Sequence, residues 1–430
     1  MDPTSKNKFK IVTLGCRTNQ YESQAYRDQL SALGYQEVQE GEQAEICIVN
    51  TCTVTESADS SSRHAIRQLA RENKDSRLLV TGCFAERQPE LVRQFEGVTH
   101  VIPNAEKENL LSRIFPEDSL PEFSIKHFES HTRAFVKVQD GCNSFCTYCI
   151  IPYVRGRSRS RTPEDVLEEV RQLISTGFKE IVLTGINIGD YDGGVQKGVK
   201  PVTLADLIRL VDPLPGLERL RVSSIDPDEV DEDLADAILK GKTTCHSMHI
   251  VLQSGSNVIL KRMNRKYTRQ VFFETIDKLR KADPDFTFTT DIIVGFPGET
   301  DADFLDTLNV MQEVKFAKVH MFPYSDRPRT RSVLMPNKVP VDTMKLRKQE
   351  VMRLAEKFGY ELRENYVGRR MQILTENCTI ETTSGHTANF LEVNIPNSQL
   401  SSNQLIEVEL ISNSPAGLIG RLFNLSEAIE

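Results

Sequence analysis

Apolar runs separated by stretches of helical period recur from Lys8 to Ser325 and constrain the fold more than any other feature of the chain. The first three, KIVTLG, EICIVNT and RLLVTG, alternate with helices expected near 21–33, 57–72 and 88–95. Six more, FVKVQ, EIVLTG, LRVSSI, MHIVLQ, FTTDIIVG and KVHMFPYS, are separated by five helical stretches. Strands that alternate with helices pack as parallel sheets with the helices on their faces. The expected fold class is therefore α/β: an N-terminal open parallel α/β sheet over 8–115, a polar linker over 116–133, and a central incomplete (β/α)6 barrel over 134–366 that ends in a charged helix. From 367 to 428 the helical period stops, and MQILTE, EVNIP, LIEVELIS and LIGRLF alternate with Asn, Ser, Gly and Pro. That pattern suits a small closed β-barrel of OB-like size.

The nine cysteines are read against this frame. No charged-then-apolar signal region opens the sequence, and no stretch approaches the roughly 18 apolar residues of a membrane span, so a cytoplasmic protein without a membrane partner is expected. In that compartment thiols are more often ligands or catalysts than disulfides, and nine cannot all pair. Cys142, Cys146 and Cys149 form a C-x3-C-x2-C motif after the first strand of the middle segment. Three thiolates this close can hold three irons of a cubane and leave the fourth open. The alternative, a zinc knuckle, asks for a fourth ligand nearby, and the next histidine downstream of Cys149 is His246. Cys16, Cys52 and Cys83 each close an apolar run, which places all three at the carboxyl edge of a parallel sheet, where open α/β folds bind ligands. They are read as ligands of a second cluster, against the alternative of three buried small hydrophobes. Cys47 lies inside its strand and is expected in the core; Cys245 and Cys378 are expected to be inert.

Strand ends of a β/α barrel are where cofactor contacts are expected, which nominates Gly185, Asn187, Ser223, Ser224, Gln253 and Asp291, each of which could equally be a turn or capping residue. The net charge of -8 argues against a protein coated in basic surface. Basic residues nevertheless cluster in three places: Arg155, Arg157, Arg159 and Arg161; Lys261, Arg262, Arg265, Lys266 and Arg269; and Arg327, Arg329 and Arg331. All follow strand ends, so they are expected to ring one barrel mouth as a phosphate funnel, the alternative being solvated surface.

C-x3-C-x2-C at the end of the first barrel strand resembles the radical adenosylmethionine enzymes, and the two triads in this order resemble their methylthiotransferase family. The motifs that carry the likeness are TLGCRTNQYES (13–23), NTC (50–52), TGC (81–83), QDGCNSFCTYC (139–149), LQSGSN (252–257), KRMNRKY (261–267), DIIVGFPGET (291–300) and FPYS (322–325). The first of them is most similar to the class acting on threonylcarbamoyladenosine of tRNA, usually LGCKVNQYES, with Arg17 and Thr18 in place of Lys and Val. Other members act on isopentenyladenosine of tRNA or on a ribosomal-protein aspartate.

The resemblance implies a radical 4Fe-4S cluster on Cys142, Cys146 and Cys149, an auxiliary 4Fe-4S cluster on Cys16, Cys52 and Cys83, and S-adenosyl-L-methionine as cofactor. It also implies tRNA as partner, an electron donor such as a flavodoxin or ferredoxin, and a sulfur source. The implied reaction places a methylthio group on C2 of the adenine, an inert C–H that acid–base chemistry does not reach. The C-terminal module corresponds in position to the TRAM domain of tRNA-modifying relatives, yet three arginines against five glutamates over 368–425 give it little counterion release. A hypothesis of another class is a non-catalytic iron–sulfur or zinc scaffold that binds RNA.

Overall fold

The computed structural model describes residues 7–116, 120–126, 132–195, 198–396 and 398–423. The N-terminal sheet holds β1 (Lys8–Thr13), β2 (Gln36–Glu37), β3 (Ile46–Thr51), β4 (Arg77–Gly82) and β5 (Val98–Val101), all parallel in the order β2-β1-β3-β4-β5. Strand β3 is buried at every position, as the centre of a sheet covered on both faces requires. Its side chains alternate between two cores: Ile46 and Ile48 join Phe9, Tyr26 and Leu30, while Cys47 and Val49 join Ile66, Leu69 and Phe84. Helices α1 (Arg17–Ala32), α2 (Glu56–Glu72), α3 (Cys83–Arg87) and α4 (Pro89–Arg93) connect the strands. The helix expected near 88–95 is the short α4, and an unexpected α3 precedes it; the two stay separate because Pro89 disfavours helical backbone at Gln88, which takes φ -133 and ψ 56. Strands β2 and β5 were not expected; two and four residues are too few to show a period.

The central segment supplies β6 (Arg133–Lys137), a hairpin of β7 (Gln139–Asp140) and β8 (Arg159–Ser160), β9 (Glu180–Thr184), β10 (Arg219–Val222), β11 (Ser247–His249), β12 (Thr287–Val294) and β13 (Lys318–Pro323). The six long-range strands are parallel but fall into two sheets, β10-β9-β6 and β11-β12-β13. Single bridges join them, with Ile225 N donating to His249 O at 3.0 Å and Val251 N to Ile225 O at 3.1 Å. Helices α5 (Ile151–Val154), α6 (Pro163–Ser175), α7 (Leu204–Val211), α8 (Glu232–Lys240), α9 (Asn257–Arg262), α10 (Arg269–Ala282), α11 (Asp301–Val314) and α12 (Val341–Glu364) complete the units. Among the described residues β6 and β13 are not paired, so the barrel is open along one side. Helix α1 lies against β6 at that side: Tyr21 donates to Glu169 of α6 at 2.9 Å, and Arg17 sits over the Phe135 ring.

The C-terminal module is a closed barrel in the order β14-β15-β16-β18-β17, from β14 (Arg370–Cys378), β15 (Thr382–Thr387), β16 (Glu392–Pro396), β17 (Leu405–Ser414) and β18 (Gly417–Leu422). Four of these strands match the expected runs. The fifth, β15, reads TTSGHT and hides from a search for apolar residues because its inward positions are Thr383, Gly385 and Thr387. The module docks at the amino ends of β9 and β10, opposite the cysteine motif. Arg219 donates to His386 O and Gln372 O at 2.9 Å, and Arg221 to Ala388 O at 2.8 Å and Thr387 O at 2.9 Å.

Two expectations need correction here. The described part of the 116–133 stretch, 120–126, is a packed strap rather than a loose linker: Phe123 packs on Tyr21 and Tyr26, and Ile125 is fully buried in the barrel core. Second, Arg155 does not face solvent. Its guanidinium is fully buried between Glu22 of α1, at 3.1 Å, and Asp140, at 2.9 Å. Lys107 bonds the same two carboxylates at 2.5 and 2.9 Å, and Lys137 stands 3.7 and 3.8 Å from them. No helix of the described residues is long and apolar enough to cross a membrane.

Burial alone would raise the Glu22 pKa, but Lys107, Arg155 and Lys137 outweigh it and hold the carboxyl down at about 2. An unfolded glutamate titrates near 4.3, so the stability Glu22 contributes is complete above about 4.3 and is lost as the pH falls through about 2. Replacing it by Gln strands buried cations. Glu22→Gln is expected to cost about 3–5 kcal/mol at neutral pH in chemical denaturation, and to flatten the acid limb of the stability profile between those two values.

Candidate functional site

The C-x3-C-x2-C loop is held at the barrel mouth by backbone bonds from several elements. Cys142 N donates to Gly156 O at 3.1 Å, Thr147 N to Met263 O at 3.0 Å, and Ser332 N to Thr147 O at 2.9 Å. Phe145, between the first two cysteines, takes the left-handed φ of 48° that turns the loop back on itself. Arg265 donates to Cys146 Sγ at 3.1 Å and is itself held by Asp226. Burial pushes the Cys149 thiol up to about 12, with Cys146 adding to it, so this sulfur becomes a thiolate only when a cation takes the proton's place.

Cys16, Cys52 and Cys83 stand at the carboxyl edge of the N-terminal sheet: Cys16 caps α1, Cys52 follows β3, and Cys83 opens α3. Asn19 ties their loops together, donating to Leu14 O at 2.6 Å and Thr51 O at 3.1 Å. Gly15 takes φ +96, and a Cβ there would lie 2.8 Å from both Cβ and Sγ of Cys52. Burial pushes Cys52 up to about 12, and it raises Cys83 against the pull of Arg155. Cys83 packs on Ile150, which directly follows Cys149, and on Val154 of α5, so the two triads share one wall.

The residues fit two clusters. Each triad offers three thiols and no fourth. Among the described residues no three His, Cys, Asp or Glu side chains converge as ligands of a single ion do, a convergence that a cubane with thiolates on separate irons does not ask for. Adenosylmethionine is matched by buried polar atoms without a protein partner at the mouth, Ser223 Oγ and Gln253 Oε1. Of the other nominated residues, Gly185 abuts Gln139, where a Cβ would lie 2.9 Å from Oε1, and Asn187 is already bonded to Glu229 at 3.0 Å. Burial and Asp226 push that Glu229 carboxyl up to about 7. Ser224 is half-buried beside Ser223.

A cleft of about 160 Å3 is lined by residues that neighbour Cys52 and Cys149 in the chain. Val54 and Thr55, just past Cys52, form one side; Tyr148, Gln253, Asp291, Ile293 and Phe322 form the other. Sequence reasoning nominated Gln253 and Asp291 but missed Tyr148 and Thr55, although both lie within three residues of a cysteine it had singled out.

The basic ring is smaller than expected. Arg155 and Arg327 are buried, Arg327 pairing at 2.7 Å with Asp59, which Arg87 also holds at 2.7 Å. Arg161 is paired with Glu169 at 2.5 Å, Arg265 with Asp226, and Arg262 packs beneath Gly298. Arg155, Arg327, Arg161 and Arg265 are thus engaged by protein carboxylates, and Arg262 is half-buried. Arg157, Arg159, Lys261, Lys266, Arg329 and Arg331 are exposed, Arg159 being paired with Asp140 at 2.8 Å.

A parallel barrel with a three-cysteine loop at its mouth defines a radical adenosylmethionine protein, and residues 136–311 match the Radical SAM superfamily. Residues 8–103 match a family described as Uncharacterized protein family UPF0004. The chain is 48% identical over 420 residues, 97% of its own length and 98% of the relative's, to Threonylcarbamoyladenosine tRNA methylthiotransferase MtaB of Chlamydia pneumoniae. It is 35% identical to the protein of the same name from Bacillus subtilis, covering 93% of this chain and 92% of that one. It is 31% identical to tRNA-2-methylthio-N(6)-dimethylallyladenosine synthase of Finegoldia magna, covering 96% and 94%. Among solved structures, the radical S-adenosylmethionine methyltransferase TsrM of Kitasatospora setae superposes with a TM-score of 0.54 at 14% identity, over 74% of this chain and 75% of that one, a likeness of fold. The chain belongs to the radical adenosylmethionine methylthiotransferase family, whose members work with 4Fe-4S clusters and S-adenosylmethionine.

The cradle at Gly15 is open to direct test, with Gly34 as control, since Gly34 has φ +85 and nothing within 4 Å of a built Cβ. Gly34→Ala is expected to cost about 1 kcal/mol in chemical denaturation of the apo-protein, the penalty for left-handed backbone. Gly15→Ala pays that and crowds Cys52 as well, for a total of about 2–4 kcal/mol.

Proposed function

We propose that this protein is a tRNA methylthiotransferase acting on N6-threonylcarbamoyladenosine next to the anticodon, giving its 2-methylthio derivative. The observation that carries the reading is the 48% identity, over nearly the full length of both chains, to a relative named for that substrate. The relative named for dimethylallyladenosine reaches 31%. The radical cluster is assigned to Cys142, Cys146 and Cys149, and the auxiliary cluster to Cys16, Cys52 and Cys83. When bound, these clusters and adenosylmethionine supply the hydrogen abstraction and the methyl and sulfur transfer that an aromatic C–H demands.

The chain's own residues position and shield that chemistry. Arg265 holds Cys146 by a charge-assisted bond and keeps the loop in register with the mouth. Tyr148, Phe322 and Ile293 give a flat adenine ring apolar surface to lie against and keep water away from it. Ser223 and Gln253 offer polar atoms to adenosylmethionine. The exposed Arg157, Arg159, Lys261, Lys266, Arg329 and Arg331 are assigned to the RNA backbone. The domains are assigned as 8–115 for the auxiliary site, 134–366 for the radical barrel and 367–428 for the TRAM-like module. The protein works in the cytoplasm with an electron donor and a sulfur source.

Anaerobic reconstitution is expected to give about eight irons per chain, and about four after Cys142, Cys146 and Cys149 are all changed to Ala; Cys47→Ala leaves the count unchanged. Mass spectrometry of tRNA nucleosides from cells lacking the protein is expected to lose 2-methylthio-N6-threonylcarbamoyladenosine. An unchanged peak rules out the substrate. Zinc in place of iron would point to the RNA-binding scaffold.

A further inference from the structure

We infer that Arg17 reads the carboxylate on the N6 side chain of the substrate base, so that the protein selects an adenosine bearing an anionic substituent over one bearing a neutral hydrocarbon. The inference rests on the methylthiotransferase reading above and names the substrate feature recognised at that site. Arg17 is the first residue of α1 and directly follows Cys16. From there it reaches across the open side of the barrel, with its guanidinium carbon 5.5 Å from the centre of the Phe135 ring on β6. It lies within electrostatic reach of Asp291 on β12 and of Arg133 and Arg221, and its charge is felt by His320 on β13.

Every other guanidinium in that neighbourhood is committed. Arg133 pairs with Glu180 at 3.0 Å and with Glu376; Arg221 pairs with Glu180 at 2.6 Å and donates to two carbonyl oxygens. Arg219 stands 3.7 Å from Glu180 and donates to two more carbonyls. Asp291 stands 3.3 Å from His249 Nε2, with no hydrogen bond between them. Four guanidiniums thus share three carboxylates, Glu180, Glu376 and Asp291, and of the four Arg17 is the one with no ion pair or hydrogen bond among the described residues.

A guanidinium presents a planar fork that matches a carboxylate with two parallel bonds. Arg17 is exposed, so an arriving anion can reach its fork. Asp291, within electrostatic reach of Arg17, also lines the cleft assigned to the adenine, and Arg17 itself directly follows Cys16. A threonylcarbamoyl group ends in a carboxylate; a dimethylallyl group has no charge to offer. The chain sequence Cys16-Arg17 therefore puts a thiol of the auxiliary triad and the reader of the substituent on one turn of backbone.

The test uses the reconstituted full-length protein and anticodon stem-loops carrying threonylcarbamoyladenosine, its carboxamide, dimethylallyladenosine or unmodified adenosine, with dissociation constants from fluorescence anisotropy. The native protein is expected to bind the acid about tenfold more tightly than the amide. Arg17→Gln is expected to make the two equal while leaving iron content and affinity for the unmodified stem-loop unchanged, and Arg17→Lys to keep part of the preference. Equal weakening of all four RNAs in Arg17→Gln would make Arg17 a backbone-phosphate contact and overturn the inference. So would a native protein that binds acid and amide alike. Product analysis in the same samples separates the two readings: absence of methylthiolated product from any RNA defeats the methylthiotransferase reading, whereas product formed equally from acid and amide defeats only the role of Arg17.

Discussion

The buried charges between α1 and the β7–β8 hairpin are what the rest of the molecule depends on. Arg155, Lys107 and Lys137 share Glu22 and Asp140 in a space closed to water, and Arg155 also bonds Asn19, the residue that ties the Cys16 and Cys52 loops together. Burying ions costs several kcal/mol each, and only good geometry with multiple partners returns it. Such a network is a poor source of stability and a good source of uniqueness: with either partner displaced, several charges lie stranded, so the N-terminal sheet has one acceptable seat on the barrel. Asp59, shared between Arg87 and Arg327, repeats the device on the far side of the cleft. Between them the two clusters of charge fix the separation of the cysteine triads.

An incomplete barrel explains why such a seat is needed. Six strands do not close, and among the described residues β6 and β13 are left unpaired with each other. A lone partial barrel would admit water from the side as well as from the mouth. Helix α1 and the strap at 120–126 cover the β6 side, with Phe123 and Tyr21 packed against the barrel core. The N-terminal domain is thus both a carrier of thiols and a wall of the reaction chamber.

Much of this was legible in the chain. Cysteines at strand ends are visible because strand ends are visible: β3 and β4 are nearly pure apolar runs, and the residue after such a run lies at the sheet's carboxyl edge whatever the tertiary detail. The fate of the arginines was not legible. Arg155 and Arg157 are two residues apart in a run without acidic neighbours, yet one is fully buried and the other exposed, because Glu22, 133 residues away, meets only the first. Ion pairing across domains leaves no local signal, and a charge run looks alike whether it faces a phosphate or a buried carboxylate. Strand β15 was missed for a different reason: a small barrel needs small inward residues at a crowded position, and Thr and Gly there resemble a loop.

The C-terminal module is held through side chains, such as Glu376 on Arg133 and Arg369 on Asp285, and also through its main chain. Arg219 and Arg221 donate to the carbonyl oxygens of Gln372, His386, Thr387 and Ala388, and Thr287 donates to that of Asn389. A carbonyl is present whatever the side chain, so these bonds put few demands on the module's sequence and all their demands on the barrel's arginines. Away from Glu376 and Arg369, which pair with the barrel, the module's surface can therefore change its charge without loosening this main-chain grip.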